Sequence, residues 1–142
     1  MNREAIFIAL FDRLTGLKTA GAVATCDRRV KLIGDMGPGE LPALYLAGDK
    51  SSYEQTEGAP PIRTLGALVY LYAANPDRHV SAGVVLNGLL DALEAAIAPD
   101  WSGAQTLGGL VSHCWIEGAV EVFEGALGER AAAIVPIKML VP

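Results

Sequence analysis

Hydrophobic positions recur along this chain with two different periods. Over residues 3–17, Ile6, Leu10, Leu14 and Leu17 fall at helical spacing, Phe7 and Phe11 widen the stripe, Asn2 is available as an N-cap and Gly16 marks the end. These features predict a first amphipathic helix. A second stripe, Leu86, Leu89, Leu90, Leu93 and Ile97, is opened by Ser81 as N-cap and stopped by Pro99. Elsewhere the period is two. Residues 63–74 set Leu65, Ala67, Val69 and Leu71 against Leu68, Tyr70 and Tyr72, the pattern of a strand buried on much of both faces. Residues 41–47 form a compact apolar run in which Pro42 belongs at the strand start or on an edge, because it has no N–H for the ladder.

Two further strands follow. Residues 109–123 place Leu110, Ser112, Cys114 and Ile116 against Val111, His113, Trp115 and Glu117, with Gly118 at a bulge or bend. After a turn at residues 124–128, residues 130–141 put Ala133, Val135, Ile137, Met139 and Val141 on one face. Pro136 implies that this last strand has at least one edge locally unpaired. Residues 18–39, with room for one short strand, and residues 48–62 read as long loops, and Asn75-Pro76-Asp77 as a turn. The expected architecture is α+β: a four-stranded, mostly antiparallel or mixed sheet, two amphipathic helices packed on one of its faces, and two long loops. No internal repeat or low-complexity tract interrupts residues 1–142, which read as one domain.

Composition agrees with a folded chain and narrows its partners. Of 142 residues, 51% are hydrophobic and 19% charged, a balance that excludes wholesale disorder. The net charge of -5 argues against tight, sequence-independent DNA binding. The excess is one-sided: residues 1–71 carry eight basic and eight acidic side chains, residues 72–142 three and eight. No apolar run reaches the length of a membrane span. The run Ala5 to Phe11 resembles the core of a signal peptide, but Glu4 precedes it and Asp12-Arg13 end it, so helical periodicity explains it better. Cys26 and Cys114 read as reduced thiols in a cytosolic setting.

Candidate chemistry is sparse. His113 and Cys114 are neighbours on one strand and point to opposite faces, which denies them a shared metal or a nucleophile–base contact; His79 sits in a turn. The glycine-rich residues 34–39 lack the Lys-Ser/Thr that follows a phosphate-cradling loop and read as a flexible loop. No G-x-S-x-G, H-E-x-x-H or C-x-x-C occurs. No catalytic, cofactor-binding or metal-binding residue is therefore assigned. The cluster Arg28, Arg29 and Lys31 suits a solvated or intersubunit role ahead of DNA, since three charges give a shallow, salt-sensitive attraction. Trp101, Trp115, Tyr45, Tyr53, Tyr70 and Tyr72 suit packing more than base stacking.

Several segments together resemble one family. They are Arg3 to Phe11, Leu41 to Leu46, Gly58 to Leu65, Leu89 to Pro99, Gln105 to Val111, Cys114 to Gly118 and Ala133 to Pro142, in that order over nearly the whole chain. In them the chain resembles the tail terminators of bacteriophages and prophages. The resemblance implies a structural protein with no cofactor and no enzymatic activity, assembled in the bacterial host cytoplasm and located in the virion tail. It implies a homo-oligomeric ring, commonly a hexamer, that ends polymerisation of the tail tube protein at its head-proximal end and offers a surface to the head–tail connector. DNA only passes through the lumen, and no membrane is involved. Arg28, Arg29, Lys31 and the Tyr53-Glu54 loop are the contact candidates. Another connector or tube adaptor is the nearest alternative, and a small enzyme on a ferredoxin-like scaffold a more distant one.

Overall fold

The computed structural model describes residues 1–77 and 79–142, the side chains of 126 and 127 apart. Helix α1 (Arg3–Leu14) starts where the Asn2 side chain accepts a hydrogen bond from the Ala5 N–H, and a single further turn, α2 (Gly16–Thr19), extends it. Helix α3 (Ala82–Ala96) starts at Ser81, whose hydroxyl accepts from the Gly83 N–H at 3.0 Å. Both helices begin at the caps expected of them.

Seven strands form one mixed sheet: β1 (Thr25–Asp27), β2 (Ala43–Gly48), β3 (Ser52–Glu54), β4 (Ile62–Ala74), β5 (His113–Ile116), β6 (Glu121–Leu127) and β7 (Arg130–Val141). The main path runs β1-β2-β4-β7-β5, with β3 beside β4 and β6 beside β7; only β1–β2 is parallel. Strands β4 and β7 are the centre of the sheet, paired over their full length from Arg63↔Val141 to Ala74↔Arg130.

The α+β class is as expected, but the sheet has seven strands and not four. Two additions, β1 and β3, are three-residue strands inside the segments read as loops. Such short pieces carry no periodic signal and exist through pairing with β2 and β4. The third addition comes from splitting the expected strand over residues 109–123. Leu107, Gly108 and Gly109 all have positive φ (51°, 76° and 92°), so the chain is still turning there and β5 begins only at His113. At Gly118 (φ 104°) the chain leaves β5 and re-enters as β6. The reversal expected at residues 124–128 also shifts: β6 runs to Leu127, and the tight turn is Gly128-Glu129. The Pro42 reading holds, since β2 starts one residue later.

Pro136 accounts for the split. Its ring sits in β7 opposite Leu68 of β4, and on its other side β7 pairs with β6 only up to Ile134 and with β5 only from Ile137. The missing N–H thus faces a gap between two strands, the locally unpaired edge that its presence required.

Residue parity decides the two faces. Leu65, Ala67, Val69, Leu71 and Ala73 of β4, with Ala133, Val135, Ile137 and Met139 of β7 and Leu44 and Leu46 of β2, are fully buried under Ile6, Leu10 and Leu14 of α1 and Leu86, Leu89 and Leu93 of α3. Both helices lie on this face, as expected. The opposite face carries a smaller cluster, Ala43, Tyr45, Tyr72 and Ala132, capped by Met36 with Ile33 and Leu41. The segment over residues 34–39, expected as a free glycine-rich loop, is therefore a packed cover. It is wound into two 3-10 turns, Ile33–Asp35 and Pro38–Glu40, and the Arg130 guanidinium donates to the Ile33 and Met36 carbonyls at 2.5 and 2.8 Å.

Candidate functional site

Two of the contact candidates from the sequence, Arg28 and Tyr53, meet the first turn of α1, and the other three do not. Arg28, just past β1, forms an ion pair with Glu4 and lies over the Phe7 ring at 5.6 Å. That guanidinium holds the Glu4 carboxyl below its ordinary range. On the neighbouring residue of the same turn, Arg3 donates to the Tyr53 hydroxyl and sits over that ring at 6.0 Å. Lys31 reaches Glu40 instead, at 2.9 and 3.1 Å, which raises the Lys31 ammonium and, with the Gly37 N–H, lowers the Glu40 carboxyl. Arg29 is exposed and makes no ion pair among the described residues. Glu54 is exposed at the end of β3, paired in register with Ile62. Two of the three expected basic contacts are thus matched within the chain, both by exposed pairs of the kind that contribute little to stability.

The two histidine environments differ. His113 accepts a hydrogen bond at Nδ1 from the Gln105 N–H (3.1 Å) and stacks on Trp115, ring centroids 5.2 Å apart and 11° from parallel. Cys114 points the other way into the core, where burial pushes its thiol up to about 12. Adjacent in sequence, the pair is divided by the sheet, as the alternation required. His79 lies in a turn, its N–H donating to the Asp77 carboxylate at 3.0 Å. Both cysteines are free thiols, and burial also raises the half-buried Cys26.

A cleft of about 760 Å³ opens at the start of α3, lined among others by Asp77, His79, Ser81, Glu124 and Glu129. Inside it the Ser81 hydroxyl donates to Glu124 at 2.5 Å while accepting from the Gly83 N–H. Glu124 of β6 thus lies at the positive end of the helix, where a carboxylate is favoured. A Cβ on Gly83 would collide with that carboxylate. Among the described residues, no three His, Cys, Asp or Glu side chains are grouped to hold a metal ion.

Exposed apolar groups were less legible in the sequence. Trp101, grouped above with packing aromatics, is 97% exposed, and Tyr53 is 55% exposed. A tight turn presents Trp101: the Asp100 carboxylate accepts from the Ser102 N–H at 2.7 Å, and the Gly103 N–H donates back to the Asp100 carbonyl. Of the strand aromatics, Tyr45 and Tyr72 are buried against each other, with Tyr70 and Trp115 half-buried on the same face. Around these two, Leu68, Ile134, Pro136 and Leu140 remain half-buried beyond the cover formed by residues 33–41. Strand β6 adds the exposed Phe123, whose partner Ala132 lies on this face, whereas the exposed Val122 stands opposite Ala133 on the other.

No helix among the described residues is long and apolar enough to cross a membrane. The chain matches no protein-family model and no curated protein.

Proposed function

We propose that the protein is a structural component of a phage tail, a homo-oligomeric ring at the head-proximal end of the tail tube. It ends tube polymerisation and presents a joining surface to the head–tail connector. The observation that carries this reading is the apolar second face of the sheet, half-buried where it extends beyond its cover. An antiparallel sheet with this much aliphatic and aromatic surface beyond its cover is suited to contact with another protein surface. Contacts between different faces of identical subunits generate rings when the rotation closes. A net charge of -5 also suits a wall that lets DNA pass without holding it, because affinity for DNA comes from neutralising its phosphates. The ring takes no cofactor, and its partners are further copies of itself, in a hexamer, with the tube and connector proteins.

Electron microscopy of particles made without the protein tests this. Tails of uncontrolled length that fail to join heads are expected; normal tails joined to heads would refute the assignment. A second reading, a small enzyme, has the cleft at the start of α3 in its favour, and would require a turnover that His79→Ala abolishes.

A further inference from the structure

A single hydrogen bond ties residues 99–111 to the sheet, and a histidine accepts it. This stretch, between α3 and β5, holds neither helix nor strand. Within it the backbone N–H groups of Asp100, Gly103, Gly109 and Val111 donate to carbonyls of the same stretch. Among the described residues, only Gln105 reaches outside it. Its side-chain amide donates to the Ala98 carbonyl at 2.9 Å, just past α3, and its backbone N–H donates to His113 Nδ1 of β5 at 3.1 Å. Gln105 is itself buried, at 4% exposure, and its Oε1 accepts from the Leu107 N–H at 3.1 Å. That bond holds Leu107 at φ 51°, a backbone state costly for a residue with a side chain, while Leu107 and Val111 pack into the core.

We infer that His113 is an acid-sensitive latch on this stretch. Neutral, with its one proton on Nε2, the ring offers the Nδ1 lone pair to the Gln105 N–H. Doubly protonated, it carries a donor at that nitrogen, so the bond and the second proton exclude each other. Protonation leaves the N–H of a buried residue facing another donor, and the chain loosens around Gln105, Leu107 and the turn that presents Trp101. Leu107 and Val111 keep the stretch on the core, so the release is local and the domain stays folded. Water reaches the ring, because His113 is half-buried on the last strand of the sheet path and lines an open groove of about 380 Å³. The charged groups about it have both signs. They are Glu94 of α3 on the same groove, Lys138 of β7 on the same face of the sheet, Glu117 beyond Trp115, and Asp100, whose carboxylate already accepts from Ser102. No ion pair among the described residues joins any of them to the ring, so the hydrogen bond at Nδ1 decides what the second proton does.

Residue-resolved hydrogen exchange from about pH 8 to about pH 5 tests the latch, with the His113 ring followed by NMR over the same range. After correction for the intrinsic pH dependence of exchange, protection of the Gln105 and Leu107 amides should fall about tenfold or more as the ring gains its second proton. Strands β4 and β7 should keep theirs. In His113→Asn the amide oxygen takes the place of Nδ1 and accepts at every pH, so protection at Gln105 should stay level. Unchanged protection at Gln105 while the wild-type ring titrates would overturn the latch, whatever the stability of the variant. A loss of the same size in His113→Asn, folded by circular dichroism, would overturn it as well.

Discussion

Gly118 stands against Pro136 across the gap between β5 and β6: a Cβ on Gly118 would meet the proline Cγ at 3.5 Å. The proline cannot donate to a neighbouring strand, and the glycine, at φ 104°, turns the chain away where no donor is available. Space tolerates a methyl group there, but the backbone angle does not. Gly118→Ala is therefore expected to lower stability by about 1–3 kcal/mol, a Tm lower by roughly 3–10 °C, measured by thermal unfolding.

Arg130 is the clamp of the second face. Its two charge-assisted hydrogen bonds hold the carbonyls of Ile33 and Met36, and with them the cover over Tyr45 and Tyr72. Arg130→Met keeps much of the apolar stem and leaves both carbonyls without this donor. A loss of about 2–3 kcal/mol is expected, with limited proteolysis moving to residues 33–41 before global unfolding. Cleavage unchanged in site and rate would show that the cover is held by packing alone.

Ser81 joins two elements distant in sequence by capping α3 and binding Glu124 of β6. Ser81→Ala removes both links and should cost about 1 kcal/mol in chemical denaturation. Hydrogen exchange should accelerate in the first turn of α3 and in β6 together. Faster exchange in the helix alone would separate the cap from the strand.

The thiols predict an alkaline limit to stability. Cys114 is held neutral in the native state, its ionisation pushed up to about 12, whereas the unfolded thiol ionises near 8.5. The unfolded chain therefore releases a proton before the native chain does. Stability present below the unfolded value falls as pH rises through that window, by about 1.4 kcal/mol per unit for one such group. Buried Tyr45 and Tyr72, also raised, act in the same direction above pH 10. Cys114→Ala should flatten the slope between pH 9 and 10. A disulfide-exchange reagent at pH 8 should modify Cys26 slowly and Cys114 only after unfolding.

Legibility followed the length over which a pattern repeats. The stripe from Leu86 to Leu93 and the alternation from Leu65 to Leu71 each persist for two turns or more, and they located α3 and β4 to within a residue or so. The contact candidates are a different case. Arg28 and Lys31 were visible as a basic cluster, but their partners Glu4 and Glu40 lie 24 and 9 residues away, and no local pattern links them. Val122 and Phe123 read as the end of one long strand because an alternating pattern passes through Gly118 without a break in phase.

Local sequence was enough for the helices with their caps, the central strands with their inward faces, the proline that needs an open edge and the acid-rich second half. These follow from periodicity, backbone stereochemistry and composition, each acting over a few neighbouring residues. Long-range packing was needed to create β1 and β3 and to fold residues 33–41 over the second face beneath Arg130. Those features arise from contacts between segments far apart along the chain, whose free energy exists only once the sheet has brought them together.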